Sequence, residues 1–247
     1  MNKSILSTAI LAAMLAGASA VVSAQAAAPA AAPAFEASYN IGVVSDYRYR
    51  GISQTGLKPA VQGGFDGTYG DFYVGAGASN IKWLKDAGLK GRVELDLYGG
   101  YKYEVAKDVT LDFGILNYVY PSNNSVPNAN TTELYIGAGT GPFSAKYSHA
   151  ITNTFGFTDS KGSGYLEANL DYELSKGTNL VAHIGRQTIK NNSIANYTDY
   201  KIGATYEALG GKFAASIIGT DSKNVYLNSA GKNNGKAGLV VGYTKTF

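Results

Sequence analysis

The residues of this chain best spaced to do chemistry are two pairs of carboxylates, Glu94/Asp96 and Asp171/Glu173. On an extended chain, residues i and i+2 share a face, so each pair could hold a cation or divide into an acid and a base. A hydrolase would instead need a serine and a histidine within hydrogen-bond reach, and there are two histidines, His149 and His183. Ser148 directly precedes His149, which on a strand sends the two side chains to opposite faces. A third constellation is SDYRYRG at 45–51, where Asp46, Arg48 and Arg50 alternate with Tyr47 and Tyr49. What any of these can do depends on the elements that carry them.

A period of two runs through almost the whole chain beyond residue 35 and predicts twelve strands. They fall at about 36–49, 60–69, 72–81, 92–105, 109–119, 131–139, 143–151, 164–174, 179–188, 199–208, 212–220 and 236–247. Most are near the roughly 9 to 11 residues that a tilted strand needs to cross a bilayer. The connections alternate long and short, GISQTGLKP then GD, KWLKDAGLKG then AKD, YPSNNSVPNAN then TGP. Long loops at one end and tight turns at the other are the pattern of a transmembrane β-barrel. Pro59, Pro121, Pro127 and Pro142 fall in connections or at strand starts, where a missing N–H does no harm.

Charge parity separates the two faces. One parity reads Val93, Leu95, Leu97, Tyr101, Tyr103, Val105 in the fourth strand and Leu166, Ala168, Leu170, Tyr172, Leu174 in the eighth, an outward stripe. Of the 18 acidic residues, Asp71, Asp86, Asp108, Asp159, Asp199 and Asp221 are read in connections. The remaining twelve, Glu36, Asp46, Asp66, Glu94, Asp96, Glu104, Asp112, Glu133, Glu167, Asp171, Glu173 and Glu207, all take the inward parity. Only Arg186 and Lys245 are basic and outward, both near strand ends where a long side chain reaches the headgroups. A soluble β-sandwich also alternates. Against it stand the loop rhythm, the even strand count, and tyrosines gathered near strand ends as an interfacial girdle would be.

The N-terminus is read separately. Residues 1–26 carry Lys3, an apolar stretch from about Ile5 to Ala18, and Ala24-Gln25-Ala26 as a cleavage site, which reads as a secretory signal peptide. A membrane anchor is the rival, but the stretch is shorter than the roughly 18 to 20 residues a spanning helix needs. Residues 27–34 form a flexible leader, and 35–247 a single barrel domain. The absence of cysteine excludes a disulfide scaffold, a thiolate metal site and a cysteine nucleophile. A formal net charge of +3 is too small to argue for nucleic acid.

VSDYRYRGISQT, Val44 to Thr55, followed by PAVQGGFD, Pro59 to Asp66, resembles the N-terminal signature of the TorF porin family of proteobacteria, also known as Gcw_chp. Further matches are Ser79-Asn80, the ELDLYGGY of Glu94 to Tyr101 and the YVYP of Tyr118 to Pro121. The resemblance implies an outer-membrane protein with a porin label and supplies no functional residues. The last strand, LVVGYTKTF, resembles the terminal assembly signal of bacterial outer-membrane barrels, with Lys245 departing from it. That resemblance implies handling by the barrel assembly machinery and an environment of outer-membrane lipid and lipopolysaccharide.

The functional expectation is a porin-like channel for ions and small hydrophilic solutes, lined by Asp46, Arg48, Arg50, Arg92, Glu94, Asp96, Lys102, Glu104, Glu133, Glu167, Asp171, Glu173 and Glu207. Twelve strands ~4.8 Å apart, tilted ~40°, give a backbone diameter of roughly 24 Å and about 10 Å between facing side chains. Inward glycines such as Gly75, Gly114 and Gly203 remove bulk, while Tyr73, Tyr98, Leu116, Tyr135 and Tyr165 return some of it. Tyr47 and Tyr49 are expected in the outer girdle, and the Gly156 to Gly164 loop is the segment that could fold inward. Seven inward basic residues, Arg48, Arg50, Arg92, Lys102, Lys146, Lys201 and Lys236, face twelve acids, so a cation preference is expected. Equally, Asp46 could pair with the arginines simply to stiffen the wall. A closed barrel with a structural or surface role is the alternative. A surface hydrolase is weaker, because His183 is inward and Ser148 points away from His149. No cofactor, metal or nucleic acid is expected.

Overall fold

A computed structural model of the chain describes residues 33–247. The signal peptide 1–26 and all but the end of the leader 27–34 lie outside the described residues. Twelve antiparallel strands close into one barrel. In chain order the strands are β1 (Phe35–Val44), β2 (Arg48–Tyr49), β3 (Ile52–Ser53), β4 (Ala60–Tyr69), β5 (Phe72–Asn80), β6 (Val93–Ala106), β7 (Val109–Val119), β8 (Thr131–Thr140), β9 (Phe143–Ala150), β10 (Gly164–Ser175), β11 (Thr178–Thr188), β12 (Tyr197–Ala208), β13 (Gly211–Thr220) and β14 (Gly238–Thr246). Every wall strand pairs with its neighbour in sequence, and β1 pairs with both β4 and β14 to close the ring. Strands β2 and β3 are not in the wall; they form a separate two-stranded hairpin.

Closure leaves no unpaired edge, which a bilayer requires, since no water is available there to satisfy free N–H and C=O groups. The outward parity is a continuous apolar surface. Ile41, Val61, Val74, Leu97, Ile115, Leu134, Leu166, Ile184, Ile202 and Val241 are all large, apolar and exposed. In water this would be an aggregation surface; against acyl chains it is the stable arrangement. Aromatic side chains mark its rims, as in the pairs Phe72/Tyr101 and Phe213/Tyr243, with ring centroids 4.8 and 4.7 Å apart. The tight turns at 70–71, 107–108, 141–142, 176–177 and 209–210 define the periplasmic end, and the long loops the extracellular end.

Wall strands follow the alternation closely, with one large departure. β1 ends at Val44 rather than continuing to Tyr49. Ser45 breaks away while still tied to β14, its N–H donating to the Val241 carbonyl at 2.8 Å. The reason is local: Arg50 and Gly51 have φ of +45° and +76°, the two positive angles of a tight hairpin turn, so the chain folds back between Tyr49 and Ile52. The second departure is Asp199, expected in a connection but held on the inward face of β12. Lys212 likewise joins the inward face of β13, while Lys236, expected inward on the last strand, is exposed in the connection before β14, so the interior keeps its acidic excess.

Candidate functional site

The hairpin of residues 45–58 turns into the barrel and crosses it. Its root lies between β1 and β4, and its tip reaches the opposite wall. A methyl at Gly51 would meet Asp199 Cβ at 2.6 Å and the Gly219 carbonyl at 3.1 Å, so only glycine lets the tip sit so close to β12 and β13. Arg50 extends from that tip. Its Nη1 donates to Glu133 Oε1 at 2.9 Å on β8 and to Gln187 Oε1 at 2.8 Å on β11, and its Nη2 donates to Glu133 Oε2 at 2.6 Å. The guanidinium also stands 4.0 Å over the ring of Tyr165 on β10. This two-point fork is the strong geometry for an arginine and a carboxylate. Both side chains are nearly dry, at 6% and 3% exposure.

The rest of the hairpin is tied down by polar contacts. Arg48 pairs with Asp46 at 2.8 Å and donates to the carbonyls of Ile218 and Lys236 at 3.1 and 2.8 Å. Asp46 accepts from Ser53 Oγ at 2.5 Å. The Ser53 N–H donates to the Asn234 carbonyl at 2.9 Å, and the Gln54 carbonyl accepts from the N–H of Lys82 at 2.7 Å. Tyr47 and Tyr49, expected in the outer girdle, are inside instead. Tyr47 donates to Glu94, and Tyr49 shares a hydroxyl contact with Tyr118. Burial, together with Glu94 and Asp96, holds the Tyr47 phenol well above its ordinary value, so it stays protonated and donating. Phe155, just before the Gly156–Gly164 loop, packs edge-on against Tyr49 and Tyr118 at 5.8 and 5.3 Å, so the start of that loop is anchored on the hairpin.

Below the hairpin the interior is a polar ladder. His183 donates from Nε2 to Asp199 Oδ1 at 2.8 Å, and Tyr165 donates to Asp199 Oδ2 at 2.9 Å. Lys146 bridges to Glu167 at 3.0 Å. Tyr73 donates to Asp112 at 2.6 Å and meets the Tyr135 hydroxyl; Tyr98 donates to Asp66. The expected widening at glycine does not occur at these positions. A methyl at Gly75, Gly114 or Gly185 would strike the ring of Tyr98, Tyr135 or Tyr165, so each glycine makes the bed on which a tyrosine lies flat against the wall.

The expected interior residues are thus distributed over three levels. Asp46, Arg48 and Arg50 belong to the hairpin, and Glu94, Asp96, Glu133 and Glu167 face it from the wall. Lys102, whose ammonium stands 5.4 Å over the Tyr73 ring, and Asp171, which accepts from Asn179, lie lower. Glu104, Glu173 and Glu207 are exposed near the periplasmic turns, and Arg92 is exposed at the extracellular mouth. Gln187 and Tyr165 have a legible inward parity, but nothing in the sequence marks them as partners of Arg50. Ser148 is buried inside while His149 is outside, and His183 is engaged by Asp199 and Asn169, so no serine–histidine pair forms among the described residues. Among the described residues no cluster of His, Asp and Glu could hold a metal.

Residues 27–247 match the family described as "Bacterial protein of unknown function (Gcw_chp)". The chain belongs to the Gcw_chp family. A comparison with curated proteins finds no match. Among solved structures the fold is similar to the KdgM porin, with TM-score 0.55 and 10% identity over 85% of this chain and 98% of that one. A second structure, KdgM in complex with disordered oligogalacturonate, gives TM-score 0.54 at 10% identity and the same coverage. The NanC porin gives 0.54 at 9% identity, again over 85% and 98%. At these identities the likeness is one of fold: this Gcw_chp chain has the twelve-stranded barrel of outer-membrane porins.

Proposed function

We propose that the protein is an outer-membrane channel for ions and small hydrophilic solutes, closed at its extracellular half by the 45–58 hairpin and opened when that hairpin withdraws. One observation carries the reading. The hairpin is held across the bore by Arg50 on Glu133 and Gln187 and by Arg48 on carbonyls, beside a small aromatic cluster in which Tyr47 and Tyr49 pack with Tyr118, Tyr120 and Phe155. Polar contacts can be exchanged for water at modest net cost, so only the small aromatic cluster opposes withdrawal by exposing apolar surface. A barrel kept shut for purely structural reasons has no use for that reversibility.

The residues that would line the path are Glu94, Asp96, Glu133, Glu167, Lys102 and Asp171 along the bore, with Glu104, Glu173 and Glu207 at the periplasmic exit and Arg92 at the entrance. Inward carboxylates outnumber inward bases, and a low-dielectric wall concentrates their field on the lumen. Cations and neutral solutes are therefore favoured. A polyanion such as the oligogalacturonate bound to KdgM suits this interior poorly, because its charge has the same sign as the wall. The test is a planar-bilayer recording across a KCl gradient with the purified chain. Discrete openings with a cation-favouring reversal potential are expected, and a barrel silent at all voltages would contradict the proposal.

A further inference from the structure

The outside of the barrel carries a second polar feature that conduction does not use. At the extracellular end, where β9 runs into the 151–163 loop and β11 into the 189–196 loop, a concavity of about 610 Å³ is lined by His149, Asn153, Asp159, Lys161, Gly162 and Lys190. A methyl at Gly162 would lie 3.6 Å from Lys190 Nζ and 3.9 Å from His149 Cε1, so the lysine and the histidine converge over the glycine. Arg186, outward on β11 opposite Leu166 and bonded to Thr198 Oγ1 at 3.1 Å, lies outside the pocket's lining. Lys161, Lys190 and Arg186 form no ion pair with a carboxylate among the described residues.

The loops around the pocket are built rather than loose. Asn153 Oδ1 accepts from the N–H groups of Ser160 and Lys161 at 3.0 and 3.1 Å. The Lys190 N–H donates to Ser163 Oγ at 3.0 Å, and Asn191 and Asn192 donate to the carbonyls of Asp159 and Thr158 at 3.0 and 2.9 Å. The Asp159 carboxylate is the one acid in the lining and leaves the pocket with Lys161 and Lys190 in excess.

Position decides what the cations are for. His149 stands two residues above outward Tyr147, so it lies about 7 Å beyond the acyl-chain belt along its strand, and the 151–163 and 189–196 loops that carry Lys161 and Lys190 start there. That is headgroup level in the outer leaflet. We infer that this pocket binds a phosphorylated lipid headgroup of the outer leaflet, with Lys161 and Lys190 on the phosphate and the Tyr147, Leu166 and Ile184 surface under its acyl chains. The belt below selects the lipid over a free anion, since inorganic phosphate gains nothing from apolar surface. The site is independent of whether the bore conducts.

Native mass spectrometry of the full chain in detergent, titrated with diphosphoryl lipid A, tests this. Lys161→Gln/Lys190→Gln should weaken binding about 30-fold, taking two lysines at a charged interface together. Lys245→Gln, an outward cation at the opposite rim, should leave binding unchanged. Dephosphorylated lipid A should bind the unaltered chain as weakly as the double variant binds the diphosphoryl form, an arm that needs no variant to fold. Equal binding by the unaltered chain and the double variant would overturn the inference. So would saturation of the pocket by inorganic phosphate with no gain from acyl chains.

Discussion

Removing the Arg50 side chain should open the bore. Arg50→Ala deletes three hydrogen bonds, two to Glu133 and one to Gln187, together with the stack over Tyr165. It leaves Glu133 dry, with only Tyr118 donating to it at 3.3 Å. Breaking one side of a buried charge pair typically costs about 3–5 kcal/mol, much of it the penalty for the stranded charge. Glu133 escapes that penalty if the hairpin leaves and water enters, so the cost falls on the closed state alone. The lower figure shifts the closed–open equilibrium by about 100-fold. Single-channel recording in planar bilayers reads this as open probability, rising about 100-fold or to saturation. Arg50→Lys keeps the charge but loses the fork and should lie between. In Arg50→Ala/Glu133→Ala the effects should be far from additive, because the two residues act through one contact. If Arg50→Ala folds into the barrel and its open probability matches that of the unaltered chain, the hairpin is not held by this contact and the reasoning fails.

Gly114→Val should strike Tyr135 inside the wall and destabilise the barrel by about 1–3 kcal/mol, seen as a lower temperature for the folded-to-unfolded shift on unboiled gels. Phe247→Ala should reduce outer-membrane assembly more than Lys245→Ala, because the terminal aromatic ring matches the assembly signal that the last strand resembles and Lys245 departs from it, while the backbone pairing of Phe247 with Tyr39 survives in both; equal assembly of both variants would remove that role. Glu94 and Asp96 lie behind Tyr47, whereas Asp66 and Asp112 lie below the hairpin. Asp66→Asn/Asp112→Asn should therefore move the reversal potential in a KCl gradient towards zero more than Glu94→Gln/Asp96→Asn does, most clearly at low salt where screening is weak.

The wall was legible because a bilayer imposes one rule on every strand: apolar out, polar in, with no frame shift allowed. Strands β4 and β7 fall on the residues that alternation alone indicates, and most others within one or two. The hairpin was not legible for the opposite reason. SDYRYRG alternates as a strand should, and nothing in the pattern says that Arg50 takes a left-handed angle and sends the chain across the lumen. Once inside, Tyr47 and Tyr49 meet carboxyl and phenol partners on β6 and β7 instead of lipid, a choice made by contacts about 47 and 69 residues away. Apart from Asp199 and Lys212, the basic and acidic residues of the interior were visible one by one. Their pairing was not, because Arg50 finds Glu133 and Gln187 only after the ring has closed.

If the hairpin reversibly closes an otherwise permeable bore, its removal must free a current. One planar-bilayer experiment compares the unaltered chain with a variant in which residues 46–57 are replaced by a short glycine–serine link. Brief openings of the unaltered chain and a steady ohmic conductance of the variant are expected. If the variant migrates as a folded barrel yet passes no current, the bore is closed by its wall and the account is wrong.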